Sequence, residues 1–304
     1  GLFGAPGGPS GAASPRTPRS AAAGAPRRAA GPTPRPTEPF AAAAKKEFEG
    51  IRTADEFRAA RAMLRRHGLS NLEKELTEAG VVGDGGTLTT GTKPFNVFAR
   101  LVSGAMAQPE MAAANALLDG PAAERFLLAC NRKEADEHWA SDAEEWVGKA
   151  SMAERHRFLL IKDLSWRWFN CLTFGIRGGT ALADAVEMLE AMKAAALSYT
   201  RADGGWSTSV GLYLHCYPFN SVQALHLHIV DLGAVGPTHA ALSHKNLPID
   251  AVLEVLRAEA AAAGVVVMTP AEAAAAAAAA KAAAAAEAEA EADPRRVTSA
   301  CRNS

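Results

Sequence analysis

The sequence predicts an α+β domain built on an antiparallel sheet, flanked by low-complexity ends. Three observations carry that prediction: short apolar runs of strand length, one long amphipathic stretch between them, and the confinement of all five tryptophans to residues 139–206, where a packed centre belongs. Of the 304 residues, 48% fall in the hydrophobic class, but alanine runs inflate that share and the true core is smaller. The 32 basic and 33 acidic residues leave a net charge of -1, which argues against a surface coated with positive charge for nucleic acid. Cys130, Cys171, Cys216 and Cys301 form no CxxC pair, so the chain shows neither a disulfide framework nor a zinc ribbon and fits a reducing compartment. No run of about 18 strongly apolar residues exists, so no membrane partner is expected.

Residues 1–40 are Gly, Ala, Pro, Ser and Arg with Glu38 as the lone acid, too poor in bulky apolar side chains to offset ordering entropy, and are expected to be a disordered basic tail. Such an Arg-bearing, acid-poor start is similar to an organellar transit peptide, and the alternative is a plain tail; the expected location is intracellular, cytoplasmic or organellar. Residues 41–80 read as a helical segment, because Phe48, Ile51, Phe57, Ala60, Met63 and Leu64 recur near helical spacing and Thr53 to Glu56 offers a capping box. Gly and Thr crowd residues 81–92, which predicts a linker. The main domain spans residues 93–262. Within it, 124–130 (ERFLLAC) and 157–162 (RFLLIK) are strand candidates, 180–197 is a helix, 211–219 and 222–232 are further strands, and a helix closes the domain at 249–262. The alanine-rich 263–304 stretch is expected to be a solvated helix or tail with no part in chemistry.

Chemistry concentrates in residues 214–232. As a strand of period two, this stretch turns His226 and His228 to one face and Leu225, Leu227 and Ile229 to the other, leaving two imidazoles about 6–7 Å apart over a cleft. That pair is open to three readings: surface or structural histidines, a metal site, or a catalytic site. A metal needs further ligands; His215 is available, but Asp231 falls on the opposite face and no Glu follows at the spacing of cupin-type sites, so neither metal nor cofactor is expected. Cys216 and His215 are neighbours that point apart on a strand, which discounts a thiol-imidazole dyad. The doublets Gly178-Gly179 and Gly204-Gly205 lack a phosphate-loop context and read as turns.

The stretch from His215 to Ile229 (HCYPFNSVQALHLHI) resembles the histidine-triad (HIT) family, one branch of which reads approximately HxPPFxSVxHLHLHV. His215, Pro218, Phe219, Ser221, Val222, Leu225, His226, Leu227 and His228 match; Tyr217 replaces a proline, and Ala224 replaces the first histidine of the triad. FNVFARLVSG at 95–104 is similar to the family's opening segment without its Glu, and HRFLLIK at 156–162 to its HxLVIPK strand. The likeness spans roughly residues 93–257 and leaves 131–150 as an unexplained insertion.

The resemblance implies a nucleotide-binding protein in which His226 is the catalytic nucleophile that attacks an α-phosphate and passes through a nucleotidyl-histidine. The implied reaction is hydrolysis or nucleotidyl transfer at a phosphoanhydride or phosphoramidate. An imidazole suits that role when one nitrogen is free and a hydrogen bond holds the other's proton. His228, Ser221, Asn220 and His215 take the positions of nucleotide or phosphate contacts. Ala224 removes an imidazole donor, a loss of about 2–4 kcal/mol if it resembles loss of an oxyanion donor. The alternative is a catalytically degenerate HIT domain that serves as a binding or structural module in a larger assembly. A nucleotide or nucleotide conjugate is the expected partner and a homodimer the implied assembly; nucleic acid is disfavoured, since the basic residues sit mostly in the tail.

Overall fold

The computed structural model describes residues 38–268 and, beyond them, residues 272, 275, 279 and 282–284. The readings of residues 1–37 and of most of 263–304 therefore lie outside the described residues. Where the tail was expected to reach residue 40, Phe40 instead opens helix α1 (Phe40–Glu47), with its ring fully buried and stacked on Tyr217 at 6.2 Å. Helices α2 (Ala54–His67) and α3 (Leu69–Glu78) follow. The capping box forms: Thr53 Oγ1 accepts from the Glu56 N–H at 3.2 Å, and the Glu56 carboxylate accepts from the Thr53 N–H at 3.0 Å.

Residues 81–92, expected as a linker, contain a two-stranded hairpin, β1 (Val82–Gly83) and β2 (Thr87–Leu88). Its Gly-Gly turn hid two packing residues, Val82 and Leu88, both buried in the common core. The chain continues through α4 (Val97–Val102), α5 (Ala112–Asn115), α6 (Gly120–Arg125), β3 (Phe126–Cys130), α7 (Lys133–Glu137) and β4 (His156–Ile161). It ends with α8 (Leu182–Asp203), β5 (Val210–Leu214), β6 (His226–Asp231), α9 (Pro237–Ala241), β7 (Leu247–Pro248) and α10 (Ile249–Ala262).

The fold is α+β, as the pattern of runs implied. Five strands pair antiparallel in the order β3-β4-β6-β5-β7. The strands β5 and β6 are shorter than the apolar runs suggested, because the chain turns after Leu214 and Phe219 and Asn220 both donate N–H bonds to the Cys216 carbonyl. Paired residues of antiparallel strands share a face, so the registers Leu160↔His226, Phe158↔His228 and His156↔Val230 set three histidines on one side of the sheet. Leu159, Leu212, Leu227 and Ile229 occupy the other side, and all are buried.

The helices supply the rest of the core. Helix α8 buries Ala185, Leu189, Met192, Ala196 and Tyr199 at helical spacing, and α10 packs along it and against β5 and β7. Helix α2 is clamped to α10 by Arg61, which is fully buried, donates to the Glu259 carboxylate and to the Leu172 carbonyl at 3.0 Å, and lies over the Phe57 ring. Charge at such a position is tolerated because every face of the guanidinium finds a partner.

Candidate functional site

Strand β6 alternates in and out, which delivers His226 and His228 to the same face; β4 adds His156 and Phe158, and His215 follows the last residue of β5. The His215 and His228 rings lie 3.9 Å apart and those of His226 and His228 4.8 Å apart. Helix α4 closes over them with Phe98, whose ring meets His226 edge-on at 4.6 Å. Asn96 caps α4 by accepting from the Ala99 N–H at 3.1 Å, and its amide donates to the Gln223 carbonyl at 2.9 Å, tying the helix to the loop that leads into β6.

The hydrogen bonds fix the tautomers. The Met152 N–H can only donate, and it reaches His156 Nδ1 at 3.2 Å, with the Asn131 amide at 3.1 Å on the same nitrogen. A neutral His156 therefore carries its proton on Nε2 and donates it to His228 Nδ1 at 3.1 Å. His228 in turn donates from Nε2 to His226 Nε2 at 3.1 Å, and His226 Nδ1–H donates to the Ala224 carbonyl at 2.7 Å. A donor stands at one end of this row and an acceptor at the other, so its direction cannot be reversed. Outside the row, His215 Nε2–H donates to the Asn246 side-chain oxygen at 2.8 Å.

All four rings are 4–6% exposed, and burial disfavours their charged forms. Burial brings His226 down to about 4 despite the opposing hydrogen bond to Ala224, and brings His156 to about 3; it lowers His215 and His228 well below the usual histidine value. The cluster is neutral near pH 7. His226 thus presents an unprotonated Nε2, the state that a nucleophile needs, with the opposite nitrogen held by a carbonyl.

These rings line a cavity of about 580 Å3, within the size range of small-molecule sites. Phe95, Val97, Phe98, Met106 and Phe158 give it an apolar flank, while Arg132, Lys149 and Lys245 contribute cations. Among the described residues, no Asp or Glu lines it. One wall comes from the 131–150 segment, through Asn131, Arg132, Gly148 and Lys149, and the segment is anchored where the backbone of Gly236 passes Trp139: a Cβ there would meet the Trp139 carbonyl oxygen at 1.8 Å.

Of the residues singled out in the sequence, His226, His228, His215 and Ser221 all line the cavity, Ser221 as an exposed residue. Asn220 does not. It is buried in the turn, where its amide donates to the Val222 carbonyl at 2.8 Å and to the Gln223 side chain at 3.2 Å. His156 was visible only as part of a strand motif, and its place beside His228 depends on the β4–β6 register, which the sequence does not encode locally. Lys245 and the 131–150 wall carried no motif at all. Cys216 turns away from the cluster to lie 3.6 Å from the Cys171 sulfur, and burial raises its thiol well above the usual range.

Ala224 does not face the large cavity. It borders a separate gap of about 10 Å3 between Phe98, Leu160 and Trp168, too small for an imidazole. His215, His226 and His228 have ligand atoms within 4.8 Å of one another, a spacing that a transition metal can bridge. The row of donors, however, places a proton on His228 Nε2, so metal ligation there requires His228 to abandon its bond from His156.

No protein-family model matches the chain, and no match is found among curated proteins or solved structures. Among the described residues, no helix is long and apolar enough to cross a membrane.

Proposed function

We propose that this cavity binds a nucleoside phosphate and that the protein is HIT-like, acting on a phosphoanhydride or phosphoramidate through His226. The observation that carries the reading is the cavity lining: four neutral imidazoles and three cations without a carboxylate, beside an aromatic flank. Imidazole N–H groups and ammonium or guanidinium ions are donors that suit phosphate oxygens, and the absence of Asp and Glu removes like-charge repulsion. The flank of Phe95, Phe98 and Phe158 suits a planar apolar group such as a base. His226 Nε2 donates its lone pair to phosphorus, the bond from phosphorus to the leaving oxygen or nitrogen breaks, and the leaving group takes its electron pair and a proton from water. The hydroxide left by that proton transfer then attacks the phosphorus of the nucleotidyl-histidine, the P–N bond breaks, and His226 regains its lone pair. His228 would turn its Nε2–H from His226 to a phosphate oxygen as the substrate enters.

The second reading, a binding module without turnover, is favoured by one specific observation: Ala224 supplies no donor and borders a narrow, mostly apolar gap apart from the cavity. Intact-protein mass after brief incubation with adenosine 5′-phosphoramidate separates the two. An adenylyl adduct on the parent that vanishes in His226→Ala supports the enzyme. Retained AMP with no adduct supports the module, and neither adduct nor retained AMP refutes both.

A further inference from the structure

We propose that Lys245 is the phosphate-binding cation of this cavity. The inference rests on the nucleoside-phosphate reading and adds to it a residue outside the histidine motif. Lys245 ends a short 3-10 turn (Ser243–Lys245) directly before β7. Its backbone is well held: Leu247 pairs with Leu214, and Asn246, the next residue, accepts the hydrogen bond from His215. The side chain borders the same cavity as His215, His226 and His228.

Three features bear on Lys245. It is half-buried, whereas Arg132 and Lys149 on the opposite wall are exposed and solvated. Like those of Arg132 and Lys149, its side-chain donors have no hydrogen bond or ion pair among the described residues, while Lys193 is matched by Asp250 and Lys46 by Glu38 at 2.5 Å each. Its charge bears on His215, His226 and His228 alike, helping to keep all three neutral. A partly desolvated ammonium with no protein partner, in a cavity that no Asp or Glu lines among the described residues, is a site where an entering anion gains charge-assisted hydrogen bonds. Burial also lowers the Lys245 pKa, in keeping with that partial desolvation.

In the β5–β7 register, Lys245 lies one step beyond Asn246, toward the end of the sheet where Ala224 precedes β6. It therefore lies on the far side of β5, at the His226 end of the histidine row, while Phe158 of the aromatic flank belongs to β4.

Calorimetric titration of the full chain with AMP and, separately, with adenosine tests the assignment. Lys245→Met is expected to weaken AMP binding about 10- to 100-fold, the range for a lost hydrogen bond to a charged group, and to leave adenosine binding within about threefold. Lys245→Arg is expected to retain most of the AMP affinity, which a packing defect would not restore. Unfolding midpoints of both variants control for stability. An AMP affinity unchanged by Lys245→Met, or an equal loss for adenosine, overturns the role of Lys245 while the nucleotide reading stands. A parent protein that binds neither AMP nor pyrophosphate overturns both.

Discussion

Four neutral imidazoles packed into one sheet face make the stability of this fold depend on pH in a window that carboxylates do not reach. In the unfolded chain each histidine protonates as the pH falls through about 6.5. In the folded chain burial holds His226 neutral down to about 4 and His156 down to about 3, with His215 and His228 also well below the usual value. Protons therefore bind the unfolded state first, so stability is full above about pH 6.5 and is lost as the pH falls toward the folded values. For His226 alone, the gap between 6.5 and about 4 corresponds to about 3 kcal/mol. Where all four are neutral in the fold and charged in the unfolded chain, the slope approaches about 5 kcal/mol per pH unit, a large part of the total stability of an ordinary domain. Partial burial of His239 lowers its pKa too and adds a smaller share. The assay is urea unfolding followed by tryptophan fluorescence at intervals between about pH 7.5 and 5, with His215→Asn as a comparison expected to flatten the slope by about 1.4 kcal/mol per unit. A stability that changes by less than about 0.5 kcal/mol per unit between pH 6.5 and 5 would refute a buried neutral cluster.

Other perturbations probe the elements that hold the site. Restoring an imidazole with Ala224→His forces a ring into the small gap between Phe98 and Trp168, and is expected to destabilise by about 1–3 kcal/mol in urea unfolding; a neutral effect would show that the gap opens freely. Arg61→Met removes the clamp between α2 and α10 and is expected to cost about 2–3 kcal/mol, less than for a fully buried pair because Glu259 keeps Arg65 at 2.5 Å; an unchanged urea midpoint would contradict that role. Thr53→Ala, which breaks the capping box of α2, is expected to lower the thermal midpoint through a loss of about 1 kcal/mol, and no shift would mean that the cap is redundant.

Residues with a local signature were legible in the sequence; those placed by distant pairing were not. The α8 and α10 helices follow from apolar spacing, and the face shared by His226 and His228 follows from strand alternation. The ends of β5 and β6 were misjudged because apolar residues continue into the turn, where Pro218 and the N–H bonds to Cys216 decide the path. The hairpin at Val82 and Leu88 escaped notice because its strands are too short to show alternation. Within the site, His226, His228, His215 and Ser221 were named from one contiguous stretch. His156 and Lys245 were not, since each reaches the cavity through a strand register formed with residues far along the chain. Asn220 sits apart: its amide donates within the turn, to the Val222 carbonyl and the Gln223 side chain, and does not line the cavity.

The central claim is that the imidazole row receives a phosphate, and the most direct test is the nitrogen-15 spectrum of the histidine side chains as AMP is added. Free protein is expected to show His226 protonated on Nδ1 and His228 and His156 on Nε2. AMP, but not adenosine, is then expected to move the Nε2 signals of His226 and His228. Four imidazole signals left unmoved by saturating AMP would contradict the account.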